Sequence, residues 1–241
     1  MIQYDVKTII KTLKSLGYKI YDKPYQLNIV GIRVTEEPNK FNDPIIVFYK
    51  DDNGKWIFKQ YKGTTDPGTY WLKSPMNNLG TALLKEGQWI DAWKIGMHKG
   101  KYSALTQQKP VTVYRDYDRD AVFDFDQKTS TGLYGINIHK AGANSSEVDK
   151  WSAGCQVFSK SADFEEFMNM ANKHKSLYGN NFTYTLIDER AVKKRNRRWW
   201  LYGGLALIGL WVGYRYYKTK KLPSYKEPVE AVKSAVQKVI K

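Results

Sequence analysis

The chain has 241 residues, 42% of them hydrophobic and 15% aromatic, enough for one well-buried domain with an appendage. Its formal charge of +15 suggests nucleic acid until it is mapped: residues 191–241 hold 13 Lys and Arg against Glu227 and Glu230, leaving 26 bases and 22 acids before them, a net of only +4. The excess flanks an apolar run, which argues for lipid headgroups and against nucleic acid as the partner.

The first residues lack the basic-then-apolar pattern of a cleavable leader. Val6, Ile9, Ile10, Leu13 and Leu16 have helical spacing between Asp5 and Gly17, predicting an amphipathic N-terminal helix within 1–24. From Tyr25 the pattern turns to strands. Residues 27–34 and 45–49 are β-branched and aromatic, Asp51-Asp52-Asn53-Gly54 is a hairpin signal, and 55–61 alternates as the returning strand. Further strands are predicted at 69–72, 89–95, 111–114, 134–139 and 182–187. A helix capped by Ser161 is predicted after Cys155, with Phe164, Phe167 and Met168 toward the core. The expected body, 25–190, is mainly β (α+β) with a few helices.

The run from Trp199 to Tyr214 has no charge and no proline. Its sixteen residues span about 24 Å as a helix, somewhat short of the usual ~20 residues. Trp199, Trp200 and Tyr202 at one end and Trp211, Tyr214, Tyr216 and Tyr217 at the other form aromatic belts, and Arg198 and Arg215 can snorkel outward. A transmembrane anchor is therefore expected within 191–221, meeting the bilayer through 199–217, with Gly209 and Gly213 spaced for a homodimer contact. Beyond Pro223 and Pro228, a basic amphipathic tail at 222–241 is suited to a membrane surface or a protein partner.

Chemistry concentrates at His139 and Cys155. The single cysteine excludes an internal disulfide, and an isolated cysteine is most simply a small buried hydrophobe. Against that reading, Ser152-Ala153-Gly154 lets the backbone turn tightly around the sulfur, and a histidine ends a predicted strand sixteen positions upstream. Nucleophile, base and nearby amide donors are what acyl transfer through a thioester requires.

These residues resemble the L,D-transpeptidase (YkuD-like) catalytic domain of bacterial cell-wall enzymes. The likeness rests on His139 followed by Ser152-Ala153-Gly154-Cys155, on Asp66-Pro67-Gly68-Thr69-Tyr70-Trp71, and on the order of elements over about 25–187. It implies a β-sandwich or barrel. His139 would be the base, the carbonyl of Lys140 its orienting partner, and the backbone amides of Cys155 and its neighbours the oxyanion hole. Peptidoglycan stem peptides would be the acyl donor, and no cofactor or metal is implied. Ala153 stands where the family has histidine, Gln156-Val157 where it has an aliphatic–Arg pair, and the loop from His139 to Ser152 is short. The branch is therefore divergent, and hydrolysis competes with cross-linking as the outcome. An anchor without a leader leaves the domain on the cytoplasmic side, away from the wall. This points to an enzyme carried by a membrane-containing bacteriophage; the contrasting expectation is a non-enzymatic virion or membrane protein with an inactive YkuD-like fold.

Other candidates are weaker. Asp116, Asp118, Asp120, Asp124 and Asp126 have Ca²⁺-loop spacing, but Ala121 sits where glycine is needed and no glutamate closes the loop. His98 is expected in a loop and His174 on the surface, so a zinc site is not expected.

Overall fold

A computed structural model describes residues 2–34, 39–116, 118–120, 122, 123, 125 and 128–192. The expected anchor and tail fall almost wholly on 193–241, outside the described residues, as do Asp124 and Asp126. The chain divides into two units, Met1–Glu189 and Arg190–Lys241. Among the described residues no helix is long and apolar enough to cross a membrane.

In chain order the elements are α1 (Val6–Ser15), β1 (Asn28–Arg33), β2 (Asp43–Lys50), β3 (Trp56–Thr64), α2 (Thr69–Lys73), β4 (Thr81–Leu84), β5 (Gly87–His98), β6 (Tyr102–Gln107), β7 (Val111–Asp116), β8 (Thr129–Gly132) and β9 (Ile138–Lys140). A single 3-10 turn (Asp149–Trp151), β10 (Gln156–Phe158), α3 (Ser161–Tyr178) and β11 (Phe182–Asp188) follow. The fold is mainly β. Eight strands close a barrel in the order β1-β11-β5-β6-β9-β10-β3-β2, and β4-β7-β8 form a separate sheet. Closure leaves the barrel strands no free edge.

Two barrel junctions are parallel, β1 with β11 and β9 with β10; the second carries the candidate site. The small sheet contributes Ala82, Leu84, Val111 and Val113 to the same core as Trp93, Leu105, Ile138 and Tyr184 of the barrel. From α3, Phe164 and Phe167 pack on Phe158, with Phe158 and Phe167 stacked at 5.0 Å. Each such buried side chain contributes roughly 1.5–3 kcal/mol. Helix α1 starts at Asp5, whose carboxylate accepts the Thr8 amide at 2.9 Å, and it buries Ile9 and Leu13.

Several local expectations change. Residues 69–72 form a helical turn, not a strand: Gly68 accepts from the amides of Trp71 and Leu72, and the turn buries Leu72 while Tyr70 stays exposed. Ser161 is the first residue of α3 rather than its cap, because its hydroxyl donates to the Gly142 carbonyl at 3.0 Å. His174 is buried, not on the surface; its Nδ1 accepts the Leu27 amide at 3.0 Å. Asp118 and Asp120 accept backbone amides within their own turn, and among the described residues no cluster could hold a metal ion.

Candidate active site

Strand alternation decides which residues meet. Ile138 enters the barrel core, so its neighbour His139 faces outward. In the parallel pairing Val157 lies opposite His139, and Cys155, two residues before Val157, shares that outward face. Cys155 and His139 are thus diagonal neighbours on adjacent strands, lining one cavity of about 530 Å³.

The segment leading into β9 is held by Gln107, whose Oε1 accepts the amides of Tyr134 and Ile136, both at 3.0 Å. His139 Nδ1 lies 2.9 Å from the Lys140 carbonyl, the oxygen to which Tyr102 donates at 3.2 Å. A carbonyl only accepts, so this bond assigns the proton of neutral His139 to Nδ1 and leaves the Nε2 lone pair free to accept a proton.

The turn before Cys155 is shaped by Ser152, which is buried. Its Oγ donates to the Cys155 carbonyl at 2.8 Å and accepts the Gly154 amide at 3.1 Å. Gly154 adopts φ +119°, and a Cβ there would collide with the Ala82 carbonyl, so only glycine fits. The Gln156 amide donates to the Asn137 carbonyl at 2.9 Å. The amides flanking Cys155 on both sides are therefore engaged, which narrows the expected oxyanion hole. Among the described residues the Cys155 amide has no partner and is the available donor. Ala153 lines the cavity wall without a polar group.

His98 ends β5 and is buried, not in a loop. Its ring stacks on His139 at 4.1 Å and 22°. Asn137 Oδ1 accepts the Gln107 amide at 3.0 Å, which turns Nδ2 toward His98 Nδ1 at 3.1 Å. Nδ1 of His98 is thus an acceptor, and its proton sits on Nε2. Sequence reasoning missed His98, Asn137 and Tyr102. The usable signal was Gly100, a turn residue two positions after His98; in the structure Lys99 and Gly100 both adopt positive φ just past the end of β5.

Electrostatics keep the pair neutral. Burial, and then the adjacent His98, push His139 down to about 3, against the Lys140 carbonyl. Burial and Lys99 lower His98. Burial raises the Cys155 thiol, although the Asn137 amide and Lys99 oppose it. Sγ lies 3.4 Å from that amide and 3.6 Å from the Gly135 carbonyl, with no hydrogen bond to His139. Because the thiol is raised and the imidazole lowered, the resting state is thiol and neutral imidazole, not thiolate and imidazolium. Alkylation of this single cysteine by iodoacetamide, followed by intact mass, is expected to climb with pH through a midpoint above that of an ordinary thiol. A reactive plateau already present at pH 5–7 would mean an ion pair instead.

The cavity's remaining walls are aromatic and cationic. Trp71, Tyr134 and Trp151 line it, together with Lys99, Arg115 and Lys150. The Gln156 side chain points inward: Nε2 donates to the Thr65 and Gly154 carbonyls at 3.3 Å each, and Oε1 accepts from Tyr184 at 2.7 Å. Gln156 thus serves the barrel interior rather than a substrate. Comparison with known proteins finds no matching family model, no matching curated protein and no matching solved structure.

Proposed function

We propose that the chain is a cysteine acyl-transfer enzyme, L,D-transpeptidase-like (YkuD-like), acting on peptidoglycan stem peptides through a Cys155 thioester. The observation that carries this reading is the hydrogen bond from His139 Nδ1 to the Lys140 carbonyl, which leaves the Nε2 lone pair free on a residue lining the cavity that also holds Cys155. In the proposed reaction Nε2 takes the thiol proton as Sγ attacks the substrate carbonyl. The Cys155 amide receives the developing oxyanion. Collapse breaks the C–N bond, and the leaving amine takes the proton from His139. Water or a second amine then attacks the thioester, again losing a proton to His139, and releases the acid or the exchanged peptide with the thiol restored. In the same reading the segment 199–217 anchors the enzyme in a bilayer, and a membrane-containing phage carries it as a lytic enzyme.

One observation favours the contrasting reading, a virion or membrane protein without catalysis: the resting thiol has no hydrogen bond to His139. Long catalytic contacts in a substrate-free site are common, and they shorten when the substrate binds. Digestion of purified peptidoglycan by the full chain in detergent, read by mass spectrometry of the muropeptides, separates the two readings. Wild type is expected to give products that Cys155→Ala does not. Products that gain one water mean hydrolysis, and joined stems mean transfer. Equal inertness of the two proteins would establish the non-catalytic role.

A further inference from the structure

Strand β7 carries a row of alternate inward residues, Val111, Val113 and Arg115. The first two enter the apolar core, and the third ends the row where the core opens into the cavity. Arg115 is only 9% exposed, and burying a guanidinium is costly unless its charge is met. The other deeply buried arginine among the described residues meets that requirement: Arg33 is ion-paired with Asp66 and Glu86. Arg115 is not. Its Nε donates to Ser130 Oγ at 3.1 Å, one Nη donates to the Gly80 carbonyl at 3.2 Å, and its plane lies 4.6 Å from the Tyr134 ring centre. A guanidinium has five N–H donors, so most of the outer fork has no partner among the described residues. Among the described residues no aspartate or glutamate lines the cavity, while Lys99 and Lys150 do.

We propose that Arg115 is the anion-binding residue of this cavity and holds a carboxylate of the acyl substrate in its outer fork. The word acyl rests on the Cys155 reading; the anion site rests on Arg115 alone. A planar fork in a partly dry wall matches a carboxylate in two parallel hydrogen bonds, which a lysine cannot do. The exposed apolar rims, Leu133 at 64% and Trp151 at 45%, would cover the peptide chain between that carboxylate and the carbonyl at Cys155. The cavity thus selects a peptide with a negative charge at a fixed distance from the attacked bond.

The test is isothermal titration calorimetry on full-length Cys155→Ala in detergent, which binds without turnover. The probes are the stem tetrapeptide with free carboxylates and the same peptide with its carboxylates converted to carboxamides. The free acid is expected to bind at least about tenfold more tightly, with the gap shrinking as salt is added. Arg115→Gln in that background is expected to close the gap, and Arg115→Lys to restore only part of it. Equal affinity of acid and amide, or no binding of either, overturns the proposal. So does a gap that survives in folded Arg115→Gln, which would hand the anion to Lys99 and Lys150. Because the acid–amide comparison needs no change at Arg115, a misfolded variant does not blunt it. Failure of the catalytic reading has a different signature: wild type and Cys155→Ala equally inert on peptidoglycan, with the acid–amide gap intact.

Discussion

Replacing His139 with glutamine is expected to lower kcat/KM on stem peptides by about 10²–10⁴-fold, the usual contribution of a positioned proton-transfer group. Glutamine places an amide near Nε2 but cannot accept a proton, so the thiol must reach its thiolate without help. The loss should therefore be largest near neutral pH and shrink toward alkaline pH, where raised Cys155 ionises by itself. That pH-dependent recovery separates a lost base from a damaged fold, which high pH would not repair. The His98→Gln variant provides the contrast. It keeps an N–H donor near the Nε2 position but gives up the ring stacked on His139 at 4.1 Å. Its expected loss is smaller, about tenfold, and uniform across pH. A pH-independent loss in His139→Gln, or no loss at all, would remove His139 from the role of base. Initial rates for the three proteins between pH 6 and 10 suffice for the comparison.

Much of the barrel was legible because its hairpins are local. The Asp51-Asp52-Asn53-Gly54 turn and the alternation on both sides of it place β2 against β3, and the structure pairs Asp43 through Lys50 with Gly63 through Trp56. Strand β6 was not legible: Ser103, Ala104 and Thr106 give weak alternation, and its partner β5 supplies the order. Strand β10 was hidden for a different reason. Three residues carry no period, and their strand character comes from parallel pairing with β9 across the intervening loop. That pairing is also what sets Cys155 beside His139, so sequence could name both residues without placing them together. His98 and Arg115 show the same limit from the other side. His98 reads as a loop residue and Arg115 as an ordinary polar residue just past a predicted strand, and each acquires meaning from neighbours distant in sequence: Asn137 and His139 for one, Gly80 and Tyr134 for the other. Arg33 is the extreme case, the charged residue that ends a strand of mostly apolar residues and proves to be fully buried.

Removing Arg33 is expected to be the most destabilising single change in the barrel. Its Nε donates to Asp66 at 2.6 Å, Nη1 to Glu86 at 2.7 Å, and Nη2 to the Leu84 carbonyl at 2.9 Å, all from a fully buried side chain. Arg33→Met keeps much of the apolar stem but leaves Asp66 buried without its cation, which typically costs 3–5 kcal/mol. Adding Asp66→Asn should recover part of that, because the orphaned charge then disappears; non-additivity in this double mutant is the signature of the pair. A second carboxyl sharpens the expectation. Burial, and then Asp66, push Asp43 up to about 8, against hydrogen bonds from the Thr65 and Val34 amides and the Thr65 hydroxyl. An acid raised on folding binds its proton more tightly in the native state. Its stabilising effect is therefore complete below the unfolded value near 4 and is lost as pH climbs through about 8. With Arg33 gone, Asp43 and Asp66 lose their shared cation, so the stability deficit of Arg33→Met should widen from pH 5 to pH 8. The damage should also reach the Cys155 turn, since the Thr65 carbonyl that Arg33 contacts at 3.4 Å accepts from Gln156, the residue after Cys155. Urea unfolding of the full chain in detergent, followed by tryptophan fluorescence at both pH values, checks all of this. A deficit below about 1 kcal/mol, or one independent of pH, would mean that the cluster is no more than an exchangeable filling of the barrel end.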